Sequence, residues 1–101
     1  EFVRAACDHA CGRLAEFNTQ DAANFVYALG LLGSREGSFL QAVCDHMLGQ
    51  VWEFKPQEVS NTVYGLGLLS YVHKAFLRAA CLRLQARPGE FKSQELSNFL
   101  Y

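Results

Sequence analysis

The sequence has little net charge, no long apolar run and none of the short motifs that mark a reaction centre, and each absence removes a class of function. Charged or polar residues interrupt every apolar stretch before it reaches the ~18 residues that a membrane-spanning helix needs, so no membrane insertion is expected. The net charge is −1 over 101 residues, unlike a strongly basic domain built for a polyanion. A nucleophile elbow, a phosphate loop, a zinc-binding His pair and a paired isolated acid are all missing, so no enzyme activity, cofactor or small-molecule substrate is expected. The opening Glu1-Phe2-Val3-Arg4 lacks an initiator Met, a basic leader and a small-residue cleavage site, so any targeting signal is expected outside this segment. The closing Phe99-Leu100-Tyr101 stops inside a pattern completed twice before, which makes the chain an expected excerpt of a longer protein.

What is present is order and repetition. Half the residues are apolar and 13% are aromatic, a composition of ordered chains. Phe17-Asn18-Thr19-Gln20-Asp21-Ala22-Ala23-Asn24-Phe25-Val26-Tyr27 recurs as Phe54-Lys55-Pro56-Gln57-Glu58-Val59-Ser60-Asn61-Thr62-Val63-Tyr64, then as Phe91-Lys92-Ser93-Gln94-Glu95-Leu96-Ser97-Asn98-Phe99-Leu100-Tyr101, each step being 37 residues. Phe2, Phe39 and Phe76 share that spacing, as do Cys7, Cys44 and Cys81. The units are 1–37, 38–74 and a truncated 75–101, within one helical-repeat segment.

The first segment of each unit carries an amphipathic helical stripe, with Phe39, Leu40, Val43, Cys44, Met47, Leu48 and Val51 on one face. Gln41, Asp45, His46 and Gln50 lie opposite, as Arg4, Asp8, His9 and Arg13 do one unit earlier. The second segment opens on cap or turn chemistry at Thr19, Pro56 or Ser93, with Asp21, Glu58 or Glu95 in the first turn of the helix. It then becomes apolar almost all round and ends near Gly33 or Ser70. A glycine such as Gly30, Gly65 or Gly67 inside it costs ~1 kcal/mol relative to Ala, and close backbone packing between units is the expected compensation. The fold class is therefore all-α, an α-solenoid of antiparallel helix pairs with a 37-residue repeat, because one pair cannot bury its own apolar surface and stacked pairs can.

Several slots invite a functional reading. Asn24, Asn61 and Asn98 each follow a Gln by four residues; they are either ligand contacts or a structural ladder of buried, paired amides, and the structural reading is preferred. Tyr27, Tyr64 and Tyr101 could stack on bases, although their spacing suits packing residues. Cys7, Cys44 and Cys81 are expected to be reduced, buried thiols, with no metal site, since Asp8, His9, Asp45 and His46 face away from them. The lack of a disulfide framework suits an intracellular reducing compartment. His73 is expected at the surface. Charge is uneven: residues 1–37 carry −2, 38–74 carry −1 and 75–101 carry +2. Lys74, Arg78, Arg83 and Arg87 form the one cluster of a single sign, a candidate for holding phosphates. With Arg4 and Gln41, which share the slot of Arg78, they make the candidate RNA-binding set on the variable polar face of the first helices.

The motif Phe-x-[Thr/Pro/Ser]-Gln-[Asp/Glu]-x-[Ala/Ser]-Asn-x-x-Tyr, followed by Ala28-Leu-Gly-Leu-Leu-Gly33 or Gly65-Leu-Gly-Leu-Leu-Ser70, resembles the octotricopeptide repeat family. It is also similar to the helical repeats of RAP-domain and FAST kinase-like proteins. The resemblance spans two whole repeats and the beginning of a third, with Tyr in a slot that is often Trp in the family. It implies a non-catalytic protein that binds RNA in a mitochondrion or plastid and serves transcript maturation, stability, translation or ribosome assembly. The alternative is a protein-interaction scaffold, such as a structural subunit of an organelle ribosome or another large assembly.

Overall fold

The computed structural model describes residues 2–100, the side chain of Leu100 excepted. The fold is all-α. The helices are α1 (Phe2–Cys11), α2 (Thr19–Leu32), α3 (Gly37–Leu48), α4 (Pro56–Leu68), α5 (Lys74–Ala86) and α6 (Ser93–Leu100), with single 3-10 turns at Leu14–Glu16 and Pro88–Glu90. Two rows result: α1, α3 and α5 pack in sequence along one side, α2, α4 and α6 along the other, and the described residues extend 41 × 25 × 20 Å. Among them no helix is long and apolar enough to cross a membrane.

Local chemistry sets the ends of the even-numbered helices. Each begins at the residue where the sequence places cap or turn chemistry, Thr19, Pro56 or Ser93, and the N-caps of α2 and α4 lie one residue earlier, at Asn18 and Lys55. Asn18 Oδ1 accepts from the Asp21 amide at 2.7 Å, and the Asp21 carboxylate accepts from the Asn18 amide at 3.1 Å. The carboxylates of Glu58 and Glu95 accept in the same way from the amides of Lys55 and Lys92, at 2.9 and 2.8 Å. These bonds satisfy amides that the first helical turn leaves open, and Pro56 has no amide to satisfy. At the other end Gly33 (φ 68°) and Ser70 (φ 52°) are both left-handed, and the amides of Ser34 and Tyr71 reach back to Leu29 O and Leu66 O, each at 3.0 Å.

The helices α1 and α3 are shorter than their apolar stripes predict. α1 stops at Cys11 and α3 at Leu48, directly before Gly12 and Gly49, residues of low helix propensity. Leu14 and Val51 still face inward, but from the turns; Val51 is buried. The core they join is built on Phe39, Phe54, Phe76, Leu40, Met47 and Leu66, with the rings of Phe25 and Phe39 4.7 Å apart.

The helices α2 and α4 meet backbone on backbone. A Cβ placed on Gly30 would lie 2.8 Å from Gly65 Cα and Gly65 O, and one placed on Gly65 would lie 2.8 Å from Val26 O and 3.0 Å from Tyr27 Cα. Two glycines thus bring α2 and α4 together, and the packing gained offsets their unfavourable helix propensity.

Candidate functional site

The polar side of α1, α3 and α5 is largely occupied by contacts within the chain. Arg4 Nε lies 3.5 Å from Glu36 Oε1. Gln41 donates to both carboxylate oxygens of Asp45, at 3.1 and 3.2 Å, and accepts from the Tyr71 hydroxyl at 3.2 Å. The Arg87 guanidinium sits 5.4 Å from the centre of the Trp52 ring. Of the sequence-derived set, Lys74 and Arg78 are exposed and make no ion pair among the described residues.

Arg83 requires a correction: it is 3% exposed and cannot present itself to a phosphate. Its Nη1 donates to Val51 O at 2.7 Å and also to Phe54 O, and its Nη2 lies 3.6 Å from Glu90 Oε1. The turn after α3 folds over the last turn of α5, so a long donor at this slot meets carbonyls instead of solvent. No helical wheel carries that information. His46, in the same slot one unit earlier, is half-buried for the same reason.

His73 is likewise not a surface residue. It is buried and caps α5, its Nδ1 accepting from the Phe76 amide at 3.0 Å. That fixes the ring proton on Nε2, which donates to Asp45 Oδ1 at 2.7 Å. The bond from His73 first, and those from Gln41 second, hold the Asp45 carboxyl below its ordinary value of 3.8. Because the folded-state value is the lower one, the stabilisation is complete above the ordinary carboxylate range and is lost as pH falls through the depressed value. Acid titration of the unfolding free energy should show this loss below about pH 4, and Asp45→Asn should remove it. An identical acid limb in the variant would refute the assignment.

The cysteines divide. Cys7 and Cys44 are buried, and burial, helped by the neighbouring Asp45 charge, pushes the Cys44 thiol up to about 12, so it stays protonated and inert. Cys81 departs from the expectation, being exposed, because its slot lies on the face of α5 turned away from α3.

The open polar surface belongs to the other row. Gln20 and Asn24 on α2, Gln57 and Asn61 on α4, and Gln94 and Asn98 on α6 line a series of depressions that share Gln57 and Asn61, the largest about 520 Å³ and also lined by Tyr27 and Tyr64. Gln, Asn and Tyr at i, i+4 and i+7 fall on one helix face, and neighbouring helices repeat it. The Tyr27 and Tyr64 rings are 6.0 Å apart between centres; Tyr101 lies outside the described residues. Lys55 and Lys92 stand exposed at the rim.

These asparagines are not the buried, paired ladder expected from the sequence. Asn24 is exposed, Asn61 and Asn98 are half-buried, and their amides make no hydrogen bond among the described residues. The satisfied polar groups are their neighbours Ser60 and Thr62, which are buried, and Thr19, which is half-buried. Ser60 donates to Gln57 O at 3.2 Å, Thr62 to Glu58 O at 2.8 Å, and Thr19 to Glu58 Oε1 at 2.9 Å. The missed signal was legible: Asn shares its side of the helix with Gln and Tyr, not with Val26 or Leu66.

The chain matches no family model, no curated protein and no solved structure. The chemistry of the open row therefore has to speak for itself. Each amide offers a donor pair and an acceptor, and the Gln–Asn pair recurs on α2, α4 and α6, with Lys55 and Lys92 adding positive charge beside it.

Proposed function

We propose that the chain is part of a non-catalytic RNA-binding α-solenoid with a 37-residue unit, which takes single-stranded RNA along the α2–α4–α6 row and acts in a mitochondrion or plastid. The observation that carries this reading is the row of Gln–Asn pairs on α2, α4 and α6, with the Tyr27 and Tyr64 rings beside it. A polymer with a repeating unit is matched by a protein surface with one; bases stack on tyrosine faces and present hydrogen-bonding edges to amides. Lys55 and Lys92 at the rim provide the phosphate contacts, with Lys74 and Arg78 available on the other row. Support for the repeating unit comes from the capping bonds of Asp21, Glu58 and Glu95 and from the left-handed ends at Gly33 and Ser70, all at 37-residue spacing.

The test is fluorescence anisotropy of labelled single-stranded oligoribonucleotides of mixed sequence. Asn61→Ala combined with Tyr64→Ala should weaken binding about tenfold or more while circular dichroism stays native, since one stacked base is worth ~1–3 kcal/mol. Lys55→Gln with Lys92→Gln should flatten the salt dependence. Equal affinity in the Asn61/Tyr64 variant discards this face. The second reading, a scaffold or structural subunit of an organelle ribosome or other assembly, is favoured by the near-neutral charge, and it expects no measurable RNA affinity.

A further inference from the structure

The turn between α3 and α4 carries the single tryptophan of the chain, and its side chain is 50% exposed. That openness belongs to the slot. Ala15 and Gly89, at the same position one unit before and one unit after, are exposed as well, and Trp52 has helices of the chain on either side of its unit. The repeating frame therefore asks for no large side chain here, and Ala or Gly fills the place. Trp52 also lies outside the cluster of buried residues that forms the core.

The ring has a partner from the next unit. Arg87, in the turn after α5, holds its guanidinium 5.4 Å from the ring centre. Arg13, in the slot of Arg87, lies 3.8 Å from Glu16, whereas the exposed Arg87 guanidinium makes no hydrogen bond or ion pair among the described residues. Held over an indole, a guanidinium keeps its N–H edge for anionic oxygens, and the pair accepts further planar groups into the stack. A planar group joined to anionic oxygens is a nucleotide. The place fits too: Trp52 precedes Lys55 by three residues, a stretch that spans at most about 11 Å, and Lys55 lines one depression of the Gln–Asn row. Lys92, five residues beyond Arg87, lines another. Both turns lead to the rim of the row.

We propose that Trp52 and Arg87 form a second nucleotide-binding site at the edge of the Gln–Asn row, where one base of the strand joins their stack and Arg87 holds the adjoining phosphate. The site rests on the RNA reading of the row and adds to it the point at which the strand crosses the rim. Stacking is open to every base, so this contact supplies affinity and no sequence preference.

Trp52 is its own reporter. On titration with a single-stranded oligoribonucleotide of mixed sequence, its emission should fall and saturate together with the anisotropy of the labelled strand. An oligomer of abasic residues should bind more weakly and leave the emission unchanged. Trp52→Leu, which keeps an apolar side chain at the turn but cannot stack, should weaken binding at least about fivefold with a native circular dichroism spectrum. Arg87→Gln should lower the slope of log affinity against log salt by about 0.7. Binding seen by anisotropy with Trp52 emission unmoved and Trp52→Leu at the parent affinity overturns this site and leaves the row standing. Equal quenching by the abasic strand overturns the stack in the same way. A chain without RNA affinity overturns both readings.

Discussion

Arg83→Ala lowers the unfolding free energy by about 3 kcal/mol or more, whereas Arg78→Ala, on the same helix, stays within about 0.5 kcal/mol of the parent. The two arginines are five residues apart and indistinguishable by composition. Arg78 is exposed and makes no ion pair among the described residues, so its loss removes little. Arg83 is buried and ties the carbonyls of Val51 and Phe54 to α5, with Glu90 beside it. Truncation leaves two carbonyls without their donor, at about 1–3 kcal/mol for each buried group left unsatisfied, and opens a cavity where the side chain lay. Lysine recovers only part of this, since an ammonium cannot reproduce the planar fork that reaches both carbonyls. Urea denaturation of the three variants measures the difference. Equal midpoints for Arg83→Ala and Arg78→Ala would show that the buried network contributes nothing.

Alanine in place of glycine should act with opposite signs at two positions. Gly65→Ala forces a methyl group to within 2.8 Å of Val26 O, and a backbone atom cannot swing aside, so α4 must move off α2. The overpacking costs about 1–3 kcal/mol, or more where the helices resist separation, against a gain of ~1 kcal/mol in helix propensity. At Gly37, in the first turn of α3, an added Cβ meets nothing within 4 Å. There the propensity gain stands alone, and Gly37→Ala should stabilise by ~0.5–1 kcal/mol. Thermal melts separate the cases, because 1 kcal/mol moves the midpoint of a domain this size by roughly 4–8 °C. A Gly65→Ala protein as stable as the parent would mean that the α2–α4 crossing is slack.

What could be read in advance follows from how far each property depends on neighbours in sequence. The existence, order and approximate ends of the helices were legible because stripe, cap and breaker all act within four residues. Phe39 to Met47 declare a buried face, Asp21 and Glu58 a first turn, and Gly33 and Ser70 the end of a helix. The glycine contact was half legible: a costly residue inside a helix announces some compensation, but which backbone supplies it is a matter of crossing. The site was read least well. Sequence pattern alone puts Arg83 at the solvent and Asn24, Asn61 and Asn98 in the interior, whereas the fold buries the first and opens the others, because in each case the surroundings come from elsewhere in the chain.

The amino-acid order alone determined the period of 37 residues, the all-helical content and the approximate end of α2 and α4, since these rest on propensity and local hydrogen bonding. Only the tertiary structure decided that Arg83 and His73 are buried, that Cys81 is open where Cys44 is closed, and that the amides of α2, α4 and α6 line one polar face beside Tyr27 and Tyr64. Burial is set by what packs across from a residue, and helices brought together through Gly30 and Gly65 choose those neighbours from residues some forty positions apart.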